Sequence, residues 1–547
     1  MNYKELAELL FPNVKETKED ILKKYPRRAD GTIVTRMAPS PTGFLHIGGV
    51  YTALINRRIA SQNNGVFILR IEDTDKKREV PGSRKIICDI FNRIGLKIDE
   101  GVISETEEIG SYGPYVQSQR VEIYHALAKY LVEQGYAYPC FATEEELAKL
   151  REKQEANKEM TGYYGKYAIW RDKSIEEIKE ALNSGKPYVL RFRVNESTPA
   201  RVSVDDVIKG RLDMDNNFND FVLLKTDGIP TYHFAHACDD YLMGTTYVLR
   251  GDEWVSSLPI HIELFNALGF KAPIYGHVAP VMKNDNGSRR KLSKRKDPES
   301  NAEFYLEKGY PAKALFVYLL TLINSNFEEW YTANKDKDIF DFEVKFENMG
   351  VSGPLYDLAK LDNISSEIIY EKTAQENEEN LLAWAAEFNK DDEARFKNNS
   401  NLVKKIFATQ GFESKEHRKD LVNYSSFVSS FGYFFNDIFD EIPEDLHDKI
   451  LENVKEEDLD EVVDGLIQYF KDMQQGSTKS FKELGEELKY TDKKHYKANP
   501  DEYRGMIMHL YHILNLALTH KENCMSSDDI ISVLGYDEVI RRLNLIK

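Results

Sequence analysis

The sequence predicts an α/β fold built on a parallel sheet and followed by an all-helical C-terminal region. Thr32 to Met37 alternates and is rich in β-formers, as a strand would be, and apolar residues recur at helical spacing from Ile47 onward. A second apolar run at 66–71 ends in Glu-Asp-Thr-Asp, which places acids at the edge where parallel sheets bind ligands. After Ser300 the pattern becomes helical.

Composition sets outer limits on the function. The chain has 547 residues, room for roughly two to four domains. No apolar run is long enough to cross a bilayer, and residues 1–28 resemble neither a signal peptide nor a transit peptide, so we expect a cytoplasmic protein. Four widely spaced cysteines predict a reducing compartment without disulfides. The net charge of −18 argues against a general nucleic-acid binder, so a nucleic-acid partner would need local basic surfaces.

Residues 1–31 mix Glu and Lys in an amphipathic pattern that ends near Pro26, which predicts a helical extension. The pattern does not reveal its function, and packing against the rest of the chain is the default interpretation. We expect the extension to end where the first strand begins, at Thr32.

The stretch A-P-S-P-T-G-F-L-H-I-G-G at 38–49 separates the first predicted strand from the first long helix. Two prolines and Gly43 break the strand, so His46 lies at a helix N-terminus, where we expect N–H groups to face free space and the dipole to favour an anion. Gly48 and Gly49 let a flat or charged group approach the backbone closely. These features predict a nucleotide site without a Walker loop; the alternative is a surface histidine in a strand–turn–helix.

Charged residues also follow two other apolar runs. Asp73 and Asp75 follow the run at 66–71, and capping of the next turn is their default role. Arg250 comes directly after another apolar run, and an arginine at a strand end suits a planar, bidentate grip on a carboxylate. An ion pair with a neighbouring acid is the alternative.

A basic stretch follows at 283–296, with seven Lys or Arg residues and the pentapeptide K-L-S-K-R at 291–295. Such a run is usually a solvated face or a nucleic-acid patch. Residues 284–288 predict a flexible approach that lets the loop close over a triphosphate. Lys294 lies inside this run, where a cation would neutralise negative charge on a bound phosphate group.

The two stretches, about 245 residues apart, resemble the two signatures of the class I aminoacyl-tRNA synthetases, and the first is similar to its form in glutamyl-tRNA synthetases. Further blocks resemble the same family: I-E-D-T-D at 71–75, G-P-Y-V-Q-S-Q-R at 113–120, K-T-D-G-I-P-T-Y at 225–232 and V-L-R-G-D-E at 248–253. The resemblance is dense from Thr35 to Leu361 and thin beyond.

The resemblance implies a Rossmann-type catalytic domain with an α+β acceptor-binding insertion, followed by an all-helical anticodon-binding region. Residues 202–212 are expected to close the insertion, and 221–225 to return the chain to the parallel sheet. The implied divisions are the helical extension at 1–31, the first catalytic half at 32–115, the insertion at 116–215, the second catalytic half at 216–283, the K-L-S-K-R loop and stem-contact helices at 284–369, and the anticodon-binding domain at 370–547.

The resemblance also implies the site residues. His46 and Lys294 are the expected catalytic residues, bracketing the phosphates. The expected ATP-binding residues are His46, Gly48, Gly49, Glu253, Val281, Lys291 and Lys294. The expected glutamate-binding residues are Arg36, Ala38, Ser40, Glu72, Tyr232, His236 and Arg250.

Two positions depart from the family pattern. His236 stands where relatives often have Asn, which introduces a pH dependence near neutrality; with His233 it also forms an i, i+3 pair, but no further metal ligand is assignable. Some relatives bind zinc in the insertion, whereas only Cys140 is present there, and one thiol does not make a four-ligand site. We expect no zinc and no other metal ligand in the protein.

The implied activity is glutamylation of tRNA: L-glutamate and ATP, with Mg²⁺, form glutamyl-adenylate, and the glutamyl group passes to tRNA-Glu, with tRNA-Gln left open. A monomer is expected. Three alternatives remain. A glutaminyl-tRNA synthetase usually has P-E-P-N-G in its first signature, where this chain has P-S-P-T-G at 39–43, and a tRNA-modification paralogue is generally truncated after the catalytic half, where this chain continues for roughly 180 residues. A tRNA-binding paralogue without catalysis typically has one damaged signature, whereas both are intact here.

Overall fold

The computed structural model describes residues 2–195, 199–293, 295–409, 412 and 419–547. The chain divides into two units, the first comprising Met1–Phe304 and Leu319–Tyr356 and the second Tyr305–Tyr318 and Asp357–Lys547. Lys294 lies outside the described residues. No helix in the described ranges is both long and apolar enough to span a membrane.

Among its described residues, the first unit contains thirteen strands, with helices between them along the chain. The strands are β1 Val34–Met37, β2 Val66–Leu69, β3 Glu100–Val102, β4 Glu108–Ile109, β5 Ala137–Cys140, β6 Val189–Phe192, β7 Arg201–Asp206, β8 Gly210–Asp215, β9 Val222–Leu224, β10 Tyr247–Gly251, β11 Ile274–Val278, β12 Met282–Asp285 and β13 Ser288–Lys291. The helices are α1 Tyr3–Leu10, α2 Lys18–Lys24, α3 Ile47–Ser61, α4 Ser83–Arg93, α5 Val121–Glu133, α6 Glu144–Ala156, α7 Ile175–Asn183, α8 Tyr232–Leu242, α9 Leu258–Leu268, α10 Ala302–Glu307, α11 Ala312–Ile323 and α12 Phe327–Ala333, and the division between units falls inside α10 and α11.

Two groups of parallel strands meet beside the first signature. Strands β1, β2 and β3 are parallel neighbours, and so are β10 and β11. The amide of Thr246, just before β10, donates to the carbonyl of Val34 in β1 (2.9 Å). The parallel strands therefore follow the order β3-β2-β1-β10-β11, which reverses between β1 and β10. Such a reversal is where Rossmann-type folds open a crevice for ligands.

The insertion pairs its strands differently from the expectation. Strand β9 is antiparallel to β6, which in turn pairs with β5, so residues 221–225 belong to this three-stranded sheet and do not return to the parallel one. The hairpin β7–β8, expected to close the insertion, extends the sheet of β10 and β11 through Asp206 and Tyr275. Both expectations were wrong because alternation identifies a strand without identifying its partner.

The helical extension packs onto α5. Leu6 of α1 and Ile21 of α2 are fully buried in one core with Leu127 and Leu131 of α5. Arg28 then donates through both terminal nitrogens to Glu100 at 2.8 Å. The default interpretation of residues 1–31 as a packed element is confirmed.

In the second unit, the described residues are helical apart from two two-residue strands, as expected from the sequence. Its core includes Phe396, Phe427, Leu466 and Leu514, all fully buried. The helices are α13 Leu358–Tyr370, α14 Ala374–Phe388, α15 Lys390–Asn398, α16 Ser400–Phe407, α17 Phe427–Phe431, α18 Asn436–Phe439, α19 Leu446–Leu451, α20 Glu456–Gln474, α21 Phe481–Glu487, α22 Lys493–Ala498, α23 Ile507–Thr519, α24 Ser527–Leu534 and α25 Tyr536–Leu545, and the strands are β14 Tyr490–Thr491 and β15 Gly505–Met506.

Candidate active site

A cleft of about 1290 Å³ opens at the carboxyl ends of β1 and β10, within the first unit. Twelve of the fourteen predicted site residues line it. His236 does not line it, and Lys294 lies outside the described residues. The lining residues among the predicted ones are Arg36, Ala38, Ser40, His46, Gly48, Gly49, Glu72, Tyr232, Arg250, Glu253, Val281 and Lys291.

His46 is the N-cap of α3. The amide of Gly48 donates to Nδ1 of His46 (3.0 Å), and the amide of Gly49 donates to the carbonyl of His46 (2.7 Å). The expectation that these N–H groups face free space was therefore wrong. Because Nδ1 accepts a hydrogen bond, the proton of the neutral ring lies on Nε2.

The first signature is joined to the segment that follows the second one. The amide of Ala302 donates to the carbonyl of Leu45 (2.9 Å), and His46 and Asn301 form an antiparallel β-bridge. A Cβ on Gly49 would lie 3.0 Å from Cδ1 of Leu45, so this glycine allows the loop to fold tightly onto α3. The two signatures thus meet at the same edge of the cleft.

Arg250 lies at the carboxyl end of β10 and is 4% exposed. Within the described ranges, its side chain donates hydrogen bonds only to neutral acceptors. Its Nε donates to Nε2 of His277 (3.0 Å), and one terminal nitrogen donates to Nδ1 of His261 (3.2 Å) and the carbonyl of Trp254 (3.3 Å). The other terminal nitrogen donates to the hydroxyl of Tyr232 (3.4 Å). Among the described residues, no carboxylate lies within ion-pair distance of this guanidinium. The alternative of an ion pair with a neighbouring acid is wrong.

Arg36 belongs to a buried network of opposite charges. Its Nε lies 3.3 Å from both carboxylate oxygens of Asp240, which also accepts from Arg70 (2.7 Å). Arg70 is fully buried and donates to Glu72 as well (2.9 Å). Burial would raise the pKa of Asp240, but Arg36 and Arg70 overcome it and hold that pKa well below its ordinary value. At Glu72, burial raises the pKa more than Arg70 and Arg36 lower it, so the pKa of Glu72 lies above its ordinary value.

His236 lies behind the wall of the cleft and is fully buried. Its ring stacks on Tyr232 at 5.8 Å between centroids, its Nδ1 is 2.8 Å from a carboxylate oxygen of Asp240, and its Nε2 is 3.1 Å from the hydroxyl of Tyr275. Burial lowers the pKa of His236 to about 3, although Asp240 opposes this shift. The expected titration near neutrality is therefore wrong, because the ring stays neutral there.

Substituting Asn for His236 is expected to leave the shape of the pH profile of glutamate kcat/KM unchanged between pH 6 and 8. The wild-type ring is already neutral over that range. Below pH 6.5 only the unfolded chain takes up the proton, so the wild type loses stability as pH falls and the variant does not share this loss. Steady-state kinetics and melting temperatures across pH test this. An inflection near pH 6.5 that vanishes in the variant would contradict it.

The second signature is carried by a β-hairpin. Strands β12 and β13 pair in register, with Asp285 opposite Ser288. The turn Asn286-Gly287 has positive φ at both residues, 51° and 86°, which is the geometry that this dipeptide favours. Residues 284–288 therefore form a regular hairpin turn, for which Asn-Gly is the sequence signal.

The carboxylate of Asp297 binds two cationic side chains of this hairpin, Lys283 and Arg290. Asp297, whose side chain is 2% exposed, accepts from both terminal nitrogens of Arg290 (2.6 and 2.8 Å), from Lys283 (3.1 Å) and from the amide of Ser293 (2.8 Å). The hydrogen bonds from Arg290 lower the pKa of Asp297. Lys291 remains half exposed at the cleft, 3.7 Å from Glu253.

The described part of the chain contains no group of three or more His, Cys, Asp or Glu side chains able to hold a metal ion. In the insertion, the thiol of Cys140 instead contacts the hydroxyl of Tyr163 (3.2 Å) within a small apolar cluster. All four cysteines are buried, and none forms a disulfide in this structure.

Several contributors to the site escaped the sequence analysis. Trp254 lines the cleft and packs on Tyr232, with centroids 4.2 Å apart. Asp240 forms an ion pair with Arg36. His261 and His277 accept hydrogen bonds from Arg250. A signal for Asp240 was present, since two adjacent acids occur inside the otherwise largely apolar helix α8, where an acid is buried only if it is paired.

Comparisons with known proteins agree with this geometry. A family model described as tRNA synthetases class I (E and Q), catalytic domain, matches residues 32–350. The glutamate–tRNA ligase of Clostridium perfringens (strain 13 / Type A) is 43% identical over 551 residues, covering 99% of this chain and 100% of that protein. The ligase of Clostridium beijerinckii is 44% identical, covering 100% and 99%. A crystal structure of a glutamate tRNA ligase from Elizabethkingia meningosepticum in complex with its amino acid has a TM-score of 0.74 at 27% identity, covering 94% of this chain and 99% of that chain.

A Rossmann-type crevice that gathers both signatures, together with the family match over more than half of the chain, defines a class I aminoacyl-tRNA synthetase. The group is the one specific for glutamate or glutamine. Because the relatives aligned over the whole chain are glutamate–tRNA ligases, the chain belongs to the glutamyl-tRNA synthetase family and is an aminoacyl-tRNA ligase.

Proposed function

We propose that this chain activates L-glutamate with ATP and transfers the glutamyl group to the 3′-terminal adenosine of tRNA-Glu. The observation that carries the proposal is Arg250, a buried cation in the cleft without an acidic partner among the described residues. A buried charge is costly unless an opposite charge meets it. The side-chain carboxylate of glutamate supplies that charge.

The glutamate pocket lies between β1 and β10. Arg250 and Arg36 face the cleft with Tyr232, and we propose that they bind the side-chain carboxylate. We propose that Glu72, a buried acid that follows β2 and lines the cleft, takes the α-amino group. Ala38 and Ser40 shape the pocket. His236 acts indirectly, by packing behind Tyr232.

The ATP pocket extends from His46 to the second signature. We propose that Nε2–H of His46 donates to a phosphate oxygen, that Gly48 and Gly49 leave room for the nucleotide, and that Lys291 and Lys294 neutralise phosphate charge. Glu253 and Val281 line the same region. Mg²⁺ bound to the phosphates would screen their charge.

The proposed chemistry has two steps. The α-carboxylate of glutamate attacks the α-phosphorus of ATP in line, the bond to the bridging oxygen breaks, and pyrophosphate leaves. The 2′-hydroxyl of the terminal adenosine then attacks the glutamyl carbonyl, its proton is released, and AMP leaves. The protein contributes positioning and electrostatic stabilisation.

The remaining assignments support this activity. We propose that residues 116–215 contact the tRNA acceptor end, since Arg191 and Glu144 of this segment line the cleft. We propose that 370–547, which lies within the helical second unit, binds the anticodon. We also propose a monomer, acting in the cytoplasm.

Pyrophosphate exchange with glutamate, with and without tRNA-Glu, tests the proposal. We expect exchange that requires glutamate and appears with tRNA, and we expect Lys294→Ala to lower kcat about 10²-fold, because one donor to the developing phosphate charge is lost. Lys337→Ala, at an exposed lysine of the same unit, serves as the control. Charging of tRNA-Gln in parallel defines the tRNA range.

The outcomes separate the alternatives. Exchange with glutamine in place of glutamate would assign the glutaminyl enzyme. Tight tRNA binding without exchange for either amino acid would reject the enzyme and leave a tRNA-binding protein. Equal activity of Lys294→Ala and Lys337→Ala would reject the role given to the loop.

A further inference from the structure

Asp206 and His277 form a buried relay to Arg250 that no step of the proposed reaction requires directly. Asp206 ends β7 and His277 lies in β11, and both side chains are fully buried. A carboxylate oxygen of Asp206 lies 2.6 Å from Nδ1 of His277, and Nε2 of His277 accepts from Nε of Arg250 (3.0 Å). The three side chains thus run in a line from the sheet interior to the cleft.

The hydrogen bonds fix which nitrogen of His277 carries the proton. Nε2 faces an Arg250 nitrogen that only donates, so Nε2 must accept and the proton lies on Nδ1. The carboxylate of Asp206 accepts that proton's hydrogen bond. Burial lowers the pKa of His277, so the ring is neutral and Arg250 keeps its charge unopposed.

Asp206 is itself held rigidly by the backbone. Its Oδ1 accepts from the amides of Ile208 (2.9 Å) and Lys209 (2.8 Å), and both oxygens lie within hydrogen-bond distance of the amide of His277 (3.2 and 3.0 Å). The pKa of Asp206 is lowered, because hydrogen bonds from His277 and the backbone overcome the opposing effect of burial. An ionised acid with both oxygens already accepting has no freedom to turn away from the ring.

We propose that Asp206 and His277 are positioning residues: by fixing the acceptor on His277, they orient the guanidinium of Arg250 so that the terminal nitrogen beside Tyr232 donates its remaining N–H to the side-chain carboxylate of the amino acid, while the charge of Arg250 stays uncompensated. The inference rests on the proposed function of the cleft. An acid at position 277 would also accept from Arg250, but it would neutralise the charge that recognises the substrate. A neutral histidine meets both requirements.

Asp206→Asn tests the relay because the carboxylate has two oxygens that accept hydrogen bonds, whereas the amide has one oxygen and an NH₂ group that donates. With its oxygen on the amides of Ile208 and Lys209, the Asn NH₂ faces His277 and forces the ring proton to Nε2, where it opposes the N–H of Arg250. We expect the KM for glutamate to rise about tenfold or more, with the KM for ATP within about twofold of wild type. Asp205→Asn, at the exposed neighbouring position of β7, is the matched control.

His277→Gln distinguishes a positioning role of the relay from a merely structural one. The glutamine oxygen accepts from Arg250 whatever the state of residue 206, so we expect Asp206→Asn to have little additional effect on the glutamate KM in this background. His277→Leu, which offers no acceptor, is expected to raise that KM as Asp206→Asn does. If Asp206→Asn does not fold, the comparison of His277→Gln with His277→Leu decides the question.

Each result bears on one of the two proposals. A wild type without glutamate-dependent exchange would reject the proposed function of the cleft. An active wild type whose Asp206→Asn variant keeps the glutamate KM, or raises the KM values for glutamate and ATP equally, would overturn the relay alone. An equal effect of Asp206→Asn in the wild-type and His277→Gln backgrounds would also overturn it.

Discussion

Replacing Arg250 with methionine is expected to lower kcat/KM for glutamate about 10³-fold, or about 4 kcal/mol, while the KM for ATP stays within about twofold. The guanidinium is buried and its partners among the described residues are neutral, so its charge is free to meet the substrate carboxylate. Steady-state pyrophosphate exchange measures the effect. Melting temperature is expected to fall little, because removing a buried cation without an acidic partner also removes its desolvation cost.

Arg201→Met is a suitable control for this experiment, since Arg201 forms an ion pair with Asp215 on the surface, with 65% of its side chain exposed. The Arg250→Met variant is also expected to lose its preference for glutamate over glutamine, because the charge that distinguishes them is gone. A loss in glutamate kcat/KM smaller than about tenfold, or an equal loss in the ATP parameters, would contradict the assignment of Arg250.

Replacing Arg70 with methionine is expected to lower the free energy of unfolding by about 3–5 kcal/mol, because it leaves buried carboxylates without their cation. Arg70 is fully buried, with Asp240 at 2.7 Å and Glu72 at 2.9 Å. The pKa of Asp240 is expected to rise in the variant, since Arg70 is one of the charges that hold it down. Urea titration followed by tryptophan fluorescence measures the loss.

Two comparisons sharpen this experiment. Arg201→Met, at the exposed pair, is expected to change the same free energy by no more than about 1 kcal/mol. Adding Asp240→Asn to Arg70→Met is expected to recover part of the loss, because less charge is then left unpaired. A loss below about 1 kcal/mol for Arg70→Met would show that the network is not what stabilises this unit.

Local patterns predicted the elements that carry the site. The prolines and Gly43 after β1 located the N-terminus of α3 and placed His46 there, and the apolar run before Arg250 located the end of β10. These features depend on residues adjacent in sequence, which is why the pattern suffices. The Asn286-Gly287 turn was equally local, so its hairpin could have been predicted.

Long-range partners escaped prediction because no local pattern encodes them. The neutral acceptors around Arg250 come from β11, α8, α9 and the turn after β10, and the pairing of β9 with β6 depends on the whole insertion. The resemblance placed His236 among the residues that bind glutamate, but burial behind Tyr232 decides both its position and its protonation. Burial is a property of the assembled fold.

The backbone link between Leu45 and Ala302 has a consequence for how the protein is made. Its two halves are separated by more than 250 residues, so the first signature leaves the ribosome long before the segment at Asn301 and Ala302 that bonds to it has been synthesised. Closing so long a loop is entropically costly and slow relative to forming α3. Nascent chains that stop short of Asn301 therefore contain the histidine of the first signature but lack the backbone segment that holds its loop beside the cleft.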